Sequence, residues 1–255
     1  MKIKSTGAFA ALIATSILLG SATLLPATET DARIVSATKN SYVFKTYLKE
    51  DAVKTESNSG VVTLTGTVAS DSHKILAQHT AAGLPGVTSV VNKLKVTGDA
   101  PAANSDKWLI LNVKTALMFH RNVSVIATEV LADSGVVTLR GEAASAAQKE
   151  LTTEYVADVE GVKSVKNEMT LAASPVDSKQ TLMEKIDDAS ITAQIKMSLL
   201  THRSTSMLKT EITTTDGVVT VKGMAKNAAE RSLVTKLVTD IHGVTSVDNN
   251  MTVQN

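Results

Sequence analysis

The 255-residue chain contains no cysteine, three Phe, three Tyr and one Trp, and its formal net charge is +1. These values exclude disulfides, thiol chemistry, thiolate metal sites and a lipid-modified N-terminal cysteine, and with a sequence pI of about 7.9 they argue against nucleic acid as a partner. The charge is unevenly spread: residues 33–98 carry eight basic and four acidic side chains, residues 99–175 seven and ten, and residues 176–255 nine and nine.

The N-terminus has a positive start at Met1-Lys-Ile-Lys4, an apolar run from Ala8 to Leu25 and a polar stretch from Pro26 onward. That is the three-part form of a secretory signal peptide, assigned to residues 1–32 with cleavage expected after Ala32 and Ala27 as the other small-residue site. An uncleaved anchor helix is the competing reading, since the apolar run is almost long enough to span a bilayer. Export of a cysteine-free chain suits a bacterial periplasm or cell exterior.

Beyond residue 32 one stretch is written three times: Gly60-Val-Val-Thr-Leu-Thr-Gly66, Gly135-Val-Val-Thr-Leu-Arg-Gly141 and Gly217-Val-Val-Thr-Val-Lys-Gly223. Each copy is followed, 26 residues after its first glycine, by a Gly-Val pair at Gly86, Gly161 and Gly243. The repeat predicts three domains, at residues 33–98, 106–172 and 188–255, with linkers at 99–105 and 173–187. A helical turn over Lys179 to Asp188 is expected in the second linker, and relative motion of the domains is the default.

Each copy opens with a helical pattern, seen in Leu109, Val113 and Leu117 and again 82 residues on in Ile191, Ile195 and Leu199. Asp106 and Asp188 stand three residues ahead of those faces, placed to cap the helix or favour its positive end. In the first copy Val43 and Tyr47 fill the same face only if about five residues are missing before the first strand.

The triplicated stretch alternates with period two, as a strand with one dry and one wet face does. Gly60, Gly135 and Gly217 are expected at positive φ in hairpin turns, and Gly66, Gly141 and Gly223 at a bend or close approach. Ser70, Ser145 and Asn227 then cap a second helix, which the Gly-Val pair is expected to end. In the last strand Val90, Leu94, Val96, Val165, Met169, Leu171, Val247, Met251 and Val253 take the inward register, while Ser89, Lys93, Lys95, Lys166, Glu168, Asp248 and Asn250 face out. The class is α+β: three tandem αββαβ units, each a small three-stranded mixed sheet with two helices on one face.

Exported αββαβ units carrying Gly-Val-Val-Thr-Leu-x-Gly and, 26 residues on, Gly-Val-x-x-Val-x-Asn resemble the BON domain over roughly residues 36–254. A signal peptide followed by tandem units is similar to the hyperosmotically inducible periplasmic protein family. The resemblance implies a non-enzymatic envelope-stress protein, with units that bind phospholipid surfaces and a chaperone-like action on unfolded periplasmic proteins.

The residues themselves add little chemistry. His120-Arg121 and His202-Arg203 sit at equivalent positions after the first helix, where a helix-end structural role outweighs a metal or catalytic one. Asn92, Asn167 and Asn249 are polar on an inward register, and Lys74, Lys149 and Arg231 coincide near the start of the second helix; for both sets the structural or solvated reading is the stronger. No nucleophile, base and orienter recur, so no enzyme and no cofactor are expected. Trp108-Leu-Ile-Leu111 departs from the shared pattern, because a helix that buries Leu109 cannot bury four successive side chains on one face. Lys107, Trp108, Ile110, Leu111 and Lys114 are therefore the candidate contact, by interdomain packing or with a membrane or client. A monomer binding phospholipid or unfolded clients is the primary reading, and a structural adaptor for a larger envelope or secretion assembly is the alternative.

Overall fold

The structure, a computed structural model, describes residues 29–98, 101–123, 128–172, 185–205 and 210–254. Most of the expected signal segment, and residues 179–184 of the turn expected over Lys179 to Asp188, lie outside the described residues, while residues 185–187 are not helical.

The first unit comprises α1 (Glu29–Asn40), the short α2 (Tyr42–Thr46), β1 (Ala52–Asn58), β2 (Val61–Val68), α3 (Asp71–Ala82), β3 (Ser89–Asn92) and β4 (Lys95–Val96). The second comprises α4 (Asp106–Met118), β5 (Thr128–Asp133), β6 (Val136–Ala143), α5 (Ala146–Ala157), β7 (Ser164–Asn167) and β8 (Thr170–Leu171). The third comprises α6 (Asp188–Thr201), β9 (Thr210–Thr215), β10 (Val218–Ala225), α7 (Ala228–Thr239) and β11 (Ser246–Val253). In each sheet the glycine-flanked strand is central, antiparallel to the strand before it and parallel to the last one. The expected αββαβ architecture is present in all three units.

The glycines explain the fixed spacing. Ser59 and Gly60, Ser134 and Gly135, and Asp216 and Gly217 all have positive φ, as the tightest hairpin turns require. A Cβ on Gly60 would stand 2.6 Å from Gly86 O, and one on Gly217 2.8 Å from Gly243 O. Thr88, Lys163 and Thr245 each donate a backbone N–H to the turn glycine of their own unit, so the hairpin turn and the start of the last strand are stitched together. The Gly-Val pair does not end the helix as expected. The helices stop at Ala82, Ala157 and Thr239, with right-handed cap residues Gly83, Asp158 and Asp240. Gly86, Gly161 and Gly243 lie in a further turn, closed by Val87, Val162 and Val244 bonding back to Leu84, Val159 and Ile241, which reverses the chain toward the strand.

Three other expectations are corrected. The first helix of unit 1 begins at Glu29, ahead of residue 33, and needs no five-residue gap: Ile34 and Thr38 are buried where Leu109 and Val113, and Ile191 and Ile195, are buried in the other units. This helix is harder to read because Ser41 caps a new turn and splits it. Asp106 and Asp188 are not the caps; Ser105 and Asp187 are, while Asp106 accepts from Ser134 N, and Asp188 from Asp216 N and Gly217 N. Asp31 does the same in unit 1, accepting from Ser57 Oγ, Ser59 N and Gly60 N. Leu171 and Val253 are exposed (54% and 38%), each the last residue of its strand.

The units do not stand apart. Their buried side chains form one continuous hydrophobic core, so the expectation of free domain motion gives way to a fused body. Its axis is α6, which buries Ile191, Ile195 and Leu199 in its own unit and also Ala189, Ser190, Ala193, Gln194, Met197 and Ser198. With only Leu200, near its C-terminal end, largely exposed (46%), α6 is mostly an interior helix. Gly83 closes on Ala189, where a Cβ would meet Ala189 Cα at 3.2 Å. Tyr42 N and Val43 N donate to Asp187 and Ser190, and Tyr47 packs edge-on against Phe119 at 5.3 Å, joining unit 1 to units 3 and 2.

Candidate functional site

The second and third units meet through a seam that nearly repeats itself at an offset of 82 residues. His120 bridges to Ile241 and His202 to Val159. Arg121 N donates to Asp240 O and Arg203 N to Asp158 O, each at 2.9 Å. His120 Nδ1 lies 3.3 Å from Asp240 Oδ2 and His202 Nδ1 lies 3.2 Å from Asp158 Oδ2. Asn122 bonds Asp240 and Ser204 bonds Asp158, while Glu154 and Lys236, themselves equivalent positions, pair across the seam. This is the isologous pattern of a two-fold dimer, built inside one chain.

Departures from the symmetry concentrate polar groups on one side. Tyr155 stands where the third unit has Leu237, stacks on His120 at 4.2 Å and donates its hydroxyl to Asp240 at 2.9 Å. Ser198 stands where the second unit has Ala116 and lies 3.1 Å from His120 Nε2. Burial pushes the His120 imidazole below its ordinary pKa despite Asp240, and burial followed by Asp240 pushes the Tyr155 phenol up. Burial would raise the Asp158 carboxyl, but bonds from His202 and Ser204 outweigh it and hold the group below the usual value.

Ser198, His120 and Asp240 are thus connected as nucleophile, base and orienter would be. Ser198 and His120 are each 1% exposed, and a groove of about 540 Å³ between Arg121, Leu151, Tyr155 and Lys236 is lined by Asp240 but by neither of them. The cluster is therefore a structural clasp, since a nucleophile must meet its substrate. Among the described residues no group of three or more His, Cys, Asp and Glu side chains could hold a metal ion.

The other sequence candidates separate into fixed and free. Asn92, Asn167 and Asn249 tie the last strand to the second helix: each amide donates to the carbonyl of Lys74, Lys149 or Arg231, and each Oδ1 accepts from the backbone two residues on. Lys149 and Arg231 are not simply solvated; their side chains donate to the carbonyls of Met169 and Asn249. Trp108 and Ile110 are half-buried against the core, and a Cβ on Gly161 of the same unit would stand 3.0 Å from the Trp108 ring. Leu111 is half-buried, and Lys107 and Lys114 are exposed.

The outer sheet faces are open, and the strand registers define one corresponding row in each. In unit 2, Glu129 stands opposite Arg140, whose Nε lies 2.8 Å from Glu168, in the break between β7 and β8 on the other side. In unit 3, Lys222 stands between Glu211 and Asn250. In unit 1, Thr65 stands opposite Lys54. Its other neighbour is Lys93, whose backbone N–H bonds Leu64 O as the last strand continues.

The BON domain family matches residues 30–98, 105–173 and 187–255, three segments that coincide with the three units. This chain belongs to the BON-domain family. The chain is similar to osmotically-inducible protein Y of Escherichia coli (strain K12), 31% identical over 147 residues, or 57% of this chain and 71% of that protein. A 21 kDa hemolysin of Actinobacillus pleuropneumoniae is 30% identical over 122 residues, 46% of this chain and 62% of the relative. The outer membrane lipoprotein DolP of Haemophilus influenzae is 30% identical over 118 residues, 46% of this chain and 61% of the relative. The last two are thus matched over less than two thirds of their length. No helix among the described residues is long and apolar enough to cross a membrane.

Nothing in the sequence alone paired one unit's histidine with another unit's aspartate. The available signal was that Asp158 and Asp240 recur at the same 82-residue offset as His120 and His202.

Proposed function

We propose that this chain is a non-enzymatic, periplasmic protein of the osmotic or envelope-stress response that binds anionic phospholipid surfaces without a cofactor. The exported N-terminus read from the sequence and two relatives, one osmotically inducible and one an outer membrane lipoprotein by name, support the setting. One observation carries the mode of binding: α6 lies largely buried among the units, while the charged outer face of each sheet is exposed. What remains broad and free is the polar outer face of each sheet, suited to electrostatic docking rather than to enclosing a small substrate. The burial of Ser198 and His120, away from the groove that Asp240 lines, supports a non-enzymatic reading in the same way.

Co-sedimentation of the mature chain with vesicles tests this. Binding to phosphatidylglycerol vesicles at low salt, weakening as salt rises, is expected; absence of binding at low salt overturns the proposal.

A second reading, binding of unfolded client proteins, is favoured by the half-buried Trp108, Ile110 and Leu111 flanked by exposed Lys107 and Lys114. It expects suppression of a client's aggregation at substoichiometric amounts, reduced by Leu111→Ser with the fold intact. An inert wild-type chain overturns it.

A further inference from the structure

Resting on the membrane reading above, we propose that the outer face of the first sheet, centred on Lys54, Thr65 and Lys93, is the surface that receives the phosphate headgroups of an anionic bilayer. The same row exists three times with different charge. In unit 2 it reads acid, base, acid and is complete in itself: Arg140 is held by Glu168 at 2.8 Å, with Glu129 on the opposite flank. In unit 3 it reads Glu211, Lys222, Asn250 and also keeps its cation beside a carboxylate. Unit 1 inverts the row. Lysines stand where unit 2 has glutamates, and the central cation is replaced by Thr65, whose hydroxyl can donate.

Adjacent strands lie about 4.8 Å apart, so the backbones of Lys54 and Lys93 are about 10 Å apart with a small neutral residue between them. Two like charges flanking such a gap repel unless an anion enters, as Arg140 enters between its glutamates. Lys95 continues the same face, in register with Thr67 one row on. Lys54, Lys93 and Lys95 are all exposed, and none of them forms an ion pair among the described residues. Val91, 41% exposed and in register with Thr63, lies in the row on the other side, together with the acidic Glu56.

The row is open, with no wall to enclose a small ion, and two exposed lysines hold a free anion weakly in water. A membrane presents many anions in one plane to a flat face, so the attractions of neighbouring lysines add, and the exposed valine suits the interface.

The full mature chain is co-sedimented with phosphatidylglycerol and with phosphatidylcholine vesicles at low salt. The test variant, Lys54→Glu with Thr65→Arg and Lys93→Glu, writes the unit 2 row into unit 1, a pattern this fold already accepts; circular dichroism checks folding. The control, Lys166→Glu with Lys226→Glu, removes comparable charge from the other two units. Wild type is expected to bind phosphatidylglycerol selectively, the row variant at least about tenfold more weakly, and the control within about twofold of wild type. Wild type that binds while the row variant matches it, or while the control falls equally, overturns the assignment of the face and leaves the membrane reading standing. Wild type that fails to bind anionic vesicles overturns the membrane reading itself. Saturable binding of inorganic phosphate without vesicle binding would overturn the surface in favour of a soluble anion.

Discussion

His120 and Asp240 face each other across the seam between the second and third units, Nδ1 to Oδ2, at 3.3 Å, and His202 and Asp158 repeat the contact at 3.2 Å. The two halves are not equivalent in what they hold. Asp240 is 4% exposed and also takes the Tyr155 hydroxyl and the Asn122 amide. Asp240→Ala leaves the Tyr155 hydroxyl and the Asn122 amide without that acceptor and removes the carboxylate beside His120, and a loss of about 3 kcal/mol is expected. Asp158→Ala, at the wetter end of the seam, is expected to cost about half as much. Urea midpoints at constant m-value measure both, and equal losses would contradict the asymmetry.

Acid should loosen this seam. Burial holds the folded-state pKa of His120 below 6.5, so below that pH the unfolded chain takes up the proton before the folded one. Stability from this group is fully present above pH 6.5 and falls, by up to about 1.4 kcal/mol per pH unit, as pH drops toward the folded value. His79 and His242 are shifted the same way, chiefly by burial, and add to the same sign. Urea midpoints from about pH 7.5 down to about pH 5 should decline, with a shallower slope in His120→Asn. A flat profile in wild type would refute the account.

The shared core implies that the three units melt together. Calorimetric and van't Hoff enthalpies should agree for the mature chain, whereas independent units would give a ratio well above one. Ala193, fully buried on α6, offers a local probe: Ala193→Glu places an unpaired charge in the interior and should shift the whole transition rather than one part of it.

Glycine requirements differ sharply by position. Gly66 has φ 111°, and a Cβ there would stand 1.9 Å from Ala52 O, whereas Gly98 has φ 79° with nothing within 4 Å. Gly66→Ala is expected to cost more than about 3 kcal/mol, and Gly98→Ala about 1 kcal/mol. Thermal melts of the two variants would rank them.

Much of the fold was legible because its constraints are local. Turn glycines, caps at Ser70, Ser145 and Asn227, and alternating strands each act within a few residues, and the repeat tripled every signal. The seam and the extensive burial of α6 were not legible, because the second face of that helix is made of Ala189, Ser190, Ala193, Gln194 and Ser198, small or polar residues that pattern like solvent-facing ones. The histidines were read as complementing the end of their own helix, whereas each is buried against an aspartate of another unit. The candidate contact at Trp108 was legible only as a departure from pattern, and half of its explanation is intradomain, with the indole over Gly161.

Asp31 sets an expectation for where an exported leader would be cut. Its carboxylate accepts from Ser57 Oγ at 2.6 Å and from the backbone N–H groups of Ser59 and Gly60 at 3.0 Å, holding the first hairpin turn as Asp106 and Asp188 hold theirs. Cleavage after Ala32 would remove Asp31 and cut into α1, leaving that turn's donors without their acceptor, at a cost of a few kcal/mol. Cleavage after Ala27 leaves the helix whole. The expected mature protein therefore begins at Thr28, and the intact mass of material purified from the periplasm decides between the sites. As an independent check on the reason, Asp31→Ala should lower the urea midpoint of the mature chain, and a start at Arg33 with unchanged stability would overturn the argument.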